Sequence, residues 1–280
     1  MRIHPLRSAL AAAAALALTV AVSACSSADT SATTSESSPT AAASITPAGA
    51  DSATVVLVHG AFADSSSWSG TIEALEKASY HAVAFADPLR GVANDASALH
   101  SFINTITGPI VLVGHSYAGM VISQVAAQDS DVRGLVYVAA FIPEVGESAG
   151  ALNAKFPGSQ LSPENLTTVA APGGLTDLYI KADRYGEVYA GGLTPEAVKL
   201  AAATQRPITN EALGEAATAT APKAIPKWSI IATADNAVPT EAQQFMSQRA
   251  GATITTVDSG HDVPAAAPLT VAKVVAEAAH

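Results

Sequence analysis

The stretch Pro109-Ile110-Val111-Leu112-Val113-Gly114-His115-Ser116-Tyr117-Ala118-Gly119-Met120 constrains this chain most. Ile110 to Val113 is a short apolar run, long enough for a buried strand. Gly114 permits a tight turn, Ser116 sits at its tip, and a segment of small residues with helical spacing follows. A strand, a sharp turn and a helix expose a serine hydroxyl where a base can reach it, and aim helix N-terminal amides at any negative charge forming there. The pattern Gly-x-Ser-x-Gly is imperfect, because its fifth position is Ala118 and the glycine comes one place later.

The flanking sequence repeats the alternation of strand and helix. Thr54 to Val58 is a continuous apolar run ending at His59-Gly60. Runs without polar alternation suit strands covered on both faces, as in a parallel sheet. Helices are expected over 69–78, 94–106, from the elbow to about 128, over 240–249 and from about 268. Further strands are expected over 82–86, 132–140, 227–233 and 252–257. The expected fold is α/β: a doubly wound, mostly parallel sheet of about six strands. Residues 144–226 break the rhythm with Gly-Gly pairs, several prolines and short helical starts such as Ser162-Pro163-Glu164 and Thr194-Pro195-Glu196. They read as an inserted, mainly helical cap after the fourth strand, placed to cover the site.

Ahead of this domain lie two other kinds of sequence. Arg2 and Arg7 precede a low-polarity run of 16 residues, Ala9 to Ala24, which suits a signal-peptide core and is short for a membrane span. Val22-Ser23-Ala24-Cys25 closes it and resembles the bacterial lipobox, whose cysteine is lipidated and becomes the new N-terminus. Residues 26–50 are mostly Ser, Thr and Ala without Lys, Arg or an aromatic, and cannot bury enough apolar surface to offset their ordering entropy. The expected organisation is therefore a signal peptide over 1–24, a lipid-anchored flexible linker over 25–50 and a folded domain over 51–280. That implies an exported protein held on the outer side of a membrane through Cys25, with secretion as the alternative. Cys25 is the single cysteine, so no disulfide forms within the chain. The formal net charge of −10 and the lack of any Lys/Arg run argue against nucleic acid as a partner.

A serine nucleophile needs an imidazole. Of seven histidines, His4 leaves with the signal, His280 is terminal, His81 opens a strand and His100 lies in a helix. His115 would point away across the turn, and His59 reads as a brace for its loop. His261 remains, just beyond the last strand in Asp258-Ser259-Gly260-His261. In such sheets ligands bind beyond the carboxyl ends of the strands, which is where Ser116 and His261 fall. The orienting carboxylate should sit there too. Asp235 fits, with Asp258, Asp262 and Glu144 as rivals.

The chain resembles the capped α/β-hydrolases, in particular their small-esterase and hydroxynitrile-lyase branch. Val58-His59-Gly60-Ala61-Phe62, Gly114-His115-Ser116-Tyr117-Ala118-Gly119, the Asp235 turn and Gly260-His261 carry the resemblance over about 54–280. It implies the order Ser116, Asp235, His261 for the catalytic residues, and an oxyanion hole made by the backbone N–H groups of Ala61 and Tyr117. It also implies a serine hydrolase acting on a small-molecule ester. The alternatives are a cofactor-free lyase on the same scaffold and a non-catalytic surface binding protein. The lyases of this branch carry threonine where this chain has Gly60, and lysine where it has Asp262, which favours the esterase. Phe62, Trp68 and Met120 are candidate pocket walls. With no HExxH, Cys/His cluster, P-loop or strand-linked GxGxxG, neither a metal nor a nucleotide cofactor is implied.

Overall fold

A computed structural model describes residues 44–280. The expected signal peptide, Cys25 and the linker up to residue 43 lie outside the described residues. Residues 44–50 have no regular secondary structure and lie against the domain: Ile45 and Ala48 pack on its core, and Ala48 N–H donates to Ala78 O at 2.8 Å.

The first half of the domain alternates strand and helix. It runs β1 (Thr54–Val58), α1 (Ser69–Lys77), β2 (Ala82–Phe85), α2 (Val92–Ile103), β3 (Ile110–His115), α3 (Ala118–Ala126) and β4 (Val132–Val138). An insert follows: α4 (Ala149–Ala154), β5 (Leu166–Ala171), β6 (Leu175–Ile180), α5 (Tyr185–Val188), α6 (Pro195–Thr204), β7 (Ile208–Thr209) and α7 (Asn210–Gly214). The alternation then resumes with β8 (Lys227–Ala232), α8 (Thr240–Arg249), β9 (Thr253–Val257), α9 (Val263–Ala266) and α10 (Pro268–Ala279).

Six strands form one parallel sheet in the order β2-β1-β3-β4-β8-β9. Successive residues of a strand point to opposite faces, and the core divides accordingly. Val56, Val58, Leu112, Leu135 and Tyr137 face α2 and α3, whereas Val55, Leu57, Val111, Val113 and Val136 face α1 and α10. The apolar runs lack alternation for this reason: both faces of the sheet are buried.

The parallel register brings the carboxyl ends together. Val58 pairs with Gly114, His115 with Val138, Val138 with Ile230, and Ala232 with Val257. His59, Ser116, Asp235 and His261 all lie within a few residues of these ends, so one edge of the sheet collects them.

The insert is mainly helical, as expected, with a small sheet added. Besides four short helices it contains a three-stranded antiparallel sheet, β5-β6-β7. Gly173 and Gly174, with φ of 78° and 80°, make the tight β5–β6 turn. Thr194 caps α6 as its position before Pro195 suggests, accepting from Ala197 N–H at 3.3 Å. Ser162-Pro163-Glu164 instead forms a turn that leads into β5, closed by Asn165 N–H on Ser162 O at 2.9 Å. Among the described residues no helix is long and apolar enough to cross a membrane.

Candidate active site

β3 delivers Ser116 to a strained turn. Its φ is +55°, in the left-handed region that side chains with a β-carbon rarely adopt, at a cost of about 1–3 kcal/mol. The turn is held from the β4 side, where Ser116 N–H donates to Val138 O and Phe141 N–H donates to Ser116 O, both at 3.1 Å. The strain lifts the hydroxyl away from the sheet toward His261.

Three side chains from three loops form one hydrogen-bonded line. Ser116 Oγ lies 2.8 Å from His261 Nε2, and His261 Nδ1 lies 2.7 Å from Asp235 Oδ2. All three residues are buried, with Ser116 5% exposed and His261 1%. Asp235 is closely supported: Oδ1 accepts from the N–H groups of Ala237 and Val238, and Oδ2 accepts from Gln243 Nε2, each at 2.8 Å. With its oxygens fixed by these donors, Oδ2 faces His261 Nδ1 and accepts from it, which leaves Nε2 free to accept from the serine. Such a line can deprotonate the hydroxyl as it attacks and store the proton on the imidazole.

The rivals of Asp235 lie elsewhere. Glu144 is exposed beside Arg249, 3.7 Å away. Asp258 is exposed, and Thr233 Oγ1 donates to it at 3.4 Å. Asp262 is buried against the histidine loop, where loss of water pushes its carboxyl up to about 6.

The other two histidines near the site are braces. His115 lies 3.0 Å from the carbonyl of His261, to which its Nε2–H donates, and burial holds its imidazole neutral. It thus reaches toward the histidine loop across the turn. His59 donates from Nδ1 to Gly60 O at 2.9 Å and accepts at Nε2 from Asp87 N–H at 3.0 Å. Desolvation lowers its value from 6.5 to about 4. Between those pH values the unfolded chain binds a proton that folded His59 refuses, so stability is complete above pH 6.5 and declines as the pH falls toward 4, by up to about 1.4 kcal/mol per unit. Urea midpoints at pH 7 and pH 5 test this. His59→Asn keeps one donor and one acceptor and should lose less stability between them; an equal loss would put the proton elsewhere.

Gly60 is fixed by close approach. A β-carbon there would stand 2.7 Å from both His115 O and Ser116 Cβ. The loop beyond it therefore runs directly over the serine. Among the described residues no acceptor is bonded to the N–H of Ala61 or of Tyr117, whereas the N–H of Phe62 is engaged by Arg206 O at 3.1 Å. Two free amide donors flanking Ser116 can receive an anionic oxygen. The Tyr117 side chain is anchored from behind, its hydroxyl donating to buried Asp95 Oδ2 at 3.0 Å.

A cavity of about 370 Å³ opens on Ser116 and His261. Phe62 and Phe141 wall it on the sheet side, and Phe156, Leu161 and Leu213 wall it on the insert side. Trp68 and Met120 do not line it. Trp68 is fully buried below the site, its ring 6.3 Å from that of His115 and nearly perpendicular to it. Met120 is buried on the inner face of α3. Gln243, Tyr185 and Tyr189 contact the site residues or their loops without any local sequence signal.

The chain matches the alpha/beta hydrolase family over residues 55–274. A carbendazim-hydrolysing esterase of Nocardioides sp. (strain SG-4G) is 35% identical over 113 residues, covering 36% of this chain and 47% of that protein, so the chain matches about half the length of this curated relative. Among solved structures, a pyrethroid hydrolase from Sphingobium faniae JZ-2 superposes with a TM-score of 0.64 at 20% identity, over 81% of this chain and 97% of the other. Polyneuridine aldehyde esterase superposes with a TM-score of 0.70 at 19% identity, over 81% and 98%. At these identities the structural likeness is one of fold.

Proposed function

The chain belongs to the alpha/beta hydrolase family, and we propose that it is a serine carboxylic-ester hydrolase acting on small, apolar esters. The observation that carries the reading is the continuous line from Ser116 Oγ through His261 to Asp235, with contacts of 2.8 and 2.7 Å. Ser116 Oγ attacks the ester carbonyl while His261 Nε2 takes its proton. The carbonyl oxygen, now anionic, is held by the N–H groups of Ala61 and Tyr117. As the tetrahedral intermediate collapses, the C–O bond to the alcohol breaks and His261 returns the proton to that oxygen. Water then enters and attacks the acyl carbon while His261 Nε2 takes its proton; the bond to Ser116 Oγ breaks, Oγ regains the proton from His261, and the acyl group leaves as carboxylic acid. Asp235 keeps the imidazole in the tautomer that accepts from serine and stabilises its cation.

The apolar wall of the cavity supports an apolar substrate, and its volume of about 370 Å³ supports a small one. The esterases among the relatives support ester chemistry. Gly60 supports hydrolysis over cyanohydrin cleavage. The threonine carried by the lyases of this branch would need a β-carbon 2.7 Å from Ser116 Cβ.

The test is release of p-nitrophenol from its acetate and butyrate esters by residues 26–280, together with labelling by a fluorophosphonate read by mass spectrometry. Turnover and a label on Ser116 are expected. A label without turnover would leave a live serine and a wrong substrate class; neither turnover nor label would end the enzyme reading.

The same protein is proposed to work outside the cytoplasm on a lipid anchor at Cys25, on the strength of the Val22-Ser23-Ala24-Cys25 sequence alone. Protein recovered from host membranes should begin at a diacylglyceryl-modified Cys25. A mature N-terminus elsewhere, or an unmodified thiol, would refute this.

A further inference from the structure

The insert does more than wall the cavity. Three hydrogen bonds tie it to the two residues that follow His59-Gly60. Tyr189 Oη–H donates to Ala61 O at 3.0 Å, Tyr185 Oη–H donates to Phe62 O at 2.8 Å, and Phe62 N–H donates to Arg206 O at 3.1 Å. Both tyrosines lie on or just after α5 and are about 1% exposed. Their burial raises both phenols well above the ordinary tyrosine value, so both hydroxyls remain donors at any working pH.

The loop they hold is strained. Phe62 has φ of +61°, an unfavourable conformation for an aromatic residue, which persists only where the surroundings over-determine it. The surroundings here are the insert.

The same short segment also holds the histidine loop. Asp262 N–H donates to Tyr189 O at 3.0 Å and Gly260 N–H donates to Gly191 O at 3.2 Å. The two backbones approach so closely that a β-carbon on Gly260 would stand 2.8 Å from Gly191 N and O. The Tyr189 ring lies 4.9 Å from that of His261 and at 74° to it, an edge-to-face contact that fixes the imidazole plane.

We propose that Tyr185 and Tyr189 are positioning residues: through residues 185–191 the insert holds the oxyanion donor of Ala61 and the imidazole of His261 in mutual register. This rests on the ester-hydrolase reading. Neither hydroxyl touches the reacting atoms. Each acts through the loop it holds, so its loss should weaken transition-state stabilisation and leave ground-state binding nearly intact.

The experiment compares the parent with Tyr185→Phe/Tyr189→Phe, which keeps both rings and their packing. In the double variant kcat for p-nitrophenyl butyrate should fall about 10- to 100-fold with KM within about threefold, since an oxyanion donor displaced by a fraction of an ångström loses much of its effect. The rate of fluorophosphonate labelling, which also develops negative charge on oxygen, should fall in parallel. Hydrogen–deuterium exchange of the peptide covering residues 59–64 should rise severalfold while that of β3 stays as in the parent. A KM rise with unchanged kcat would mean that the tyrosines only shape the pocket, and would overturn the proposal. So would unchanged exchange over 59–64, whether or not the parent hydrolyses esters. A parent without turnover would instead refute the ester-hydrolase reading, with the exchange measurement still deciding whether the insert holds the loop.

Discussion

Ser116→Ala is expected to lower kcat on p-nitrophenyl butyrate by about 10⁵- to 10⁶-fold, and His261→Ala by about as much. The two side chains act as one unit, their atoms 2.8 Å apart, so the double variant should be no worse than either single one. Asp235→Asn should cost about 10⁴-fold for a reason specific to this site. Asp235 Oδ1 accepts from two backbone N–H groups and Oδ2 accepts from Gln243 and His261. An asparagine that keeps its oxygen toward the backbone donors must turn its NH₂ toward Gln243 Nε2 and His261 Nδ1. Relieving that clash forces the His261 proton onto Nε2, where it meets the Ser116 hydroxyl as a competing donor. The base is then lost with the geometry nearly intact. Melting temperatures of all four variants, compared with the parent, separate lost chemistry from lost structure. Ser116→Ala retaining more than about one part in a thousand of kcat would mean that another group attacks the ester.

The parts of this arrangement legible in the sequence are those encoded locally. β1 and the Ile110–Val113 part of β3 are short apolar runs because both sheet faces are buried, and a glycine, Gly60 or Gly114, follows each within two residues. Ser116 directly follows β3, and Asp235 and His261 lie in the short loops after β8 and β9, so the parallel topology predicts their convergence. The β5-β6-β7 sheet is less visible. Thr167, Thr168, Val169 and Ala170 in β5 are all exposed, so apolar and polar residues do not alternate. Trp68 and Met120 show another limit: a large apolar side chain near a site motif can face the core as readily as the cavity, and residue type does not choose. The tyrosine anchors are further out of reach, because Tyr185 and Phe62 are 123 positions apart and Tyr189 and Ala61 128. Their pairing exists only once the insert is folded onto the sheet.

The turn around Ser116 yields the second large effect. The familiar pattern puts glycine at the position of Ala118, yet the close approach in this chain occurs at Gly119. A β-carbon on Gly119 would stand 2.1 Å from Phe141 O and 3.1 Å from Ala140 Cβ. Backbone, not a flexible side-chain end, occupies that space. The opposing segment has little slack, since Ala139 already has φ of +44° and Phe141 N–H is bonded to Ser116 O. Helix propensity alone would make Gly119→Ala stabilising by about 1 kcal/mol, because the position lies within α3. The clash should reverse that sign and destabilise by about 3 kcal/mol, or about 6–12 °C in melting temperature for a domain of this size. Because α3 must move away from β4 to admit the methyl group, Ser116 and the Tyr117 N–H shift with it, and kcat should fall by about 100-fold in the protein that remains folded. Ala118→Gly restores the familiar pattern and removes a methyl group that is already accommodated, so it should cost only about 1 kcal/mol and leave kcat within a few-fold. Thermal melts and ester kinetics on the two variants decide the matter. If Gly119→Ala melts within a degree or two of the parent, the crossing of α3 over residues 139–141 is looser than 2.1 Å implies, and Ala118 rather than Gly119 sets the geometry of the nucleophile turn.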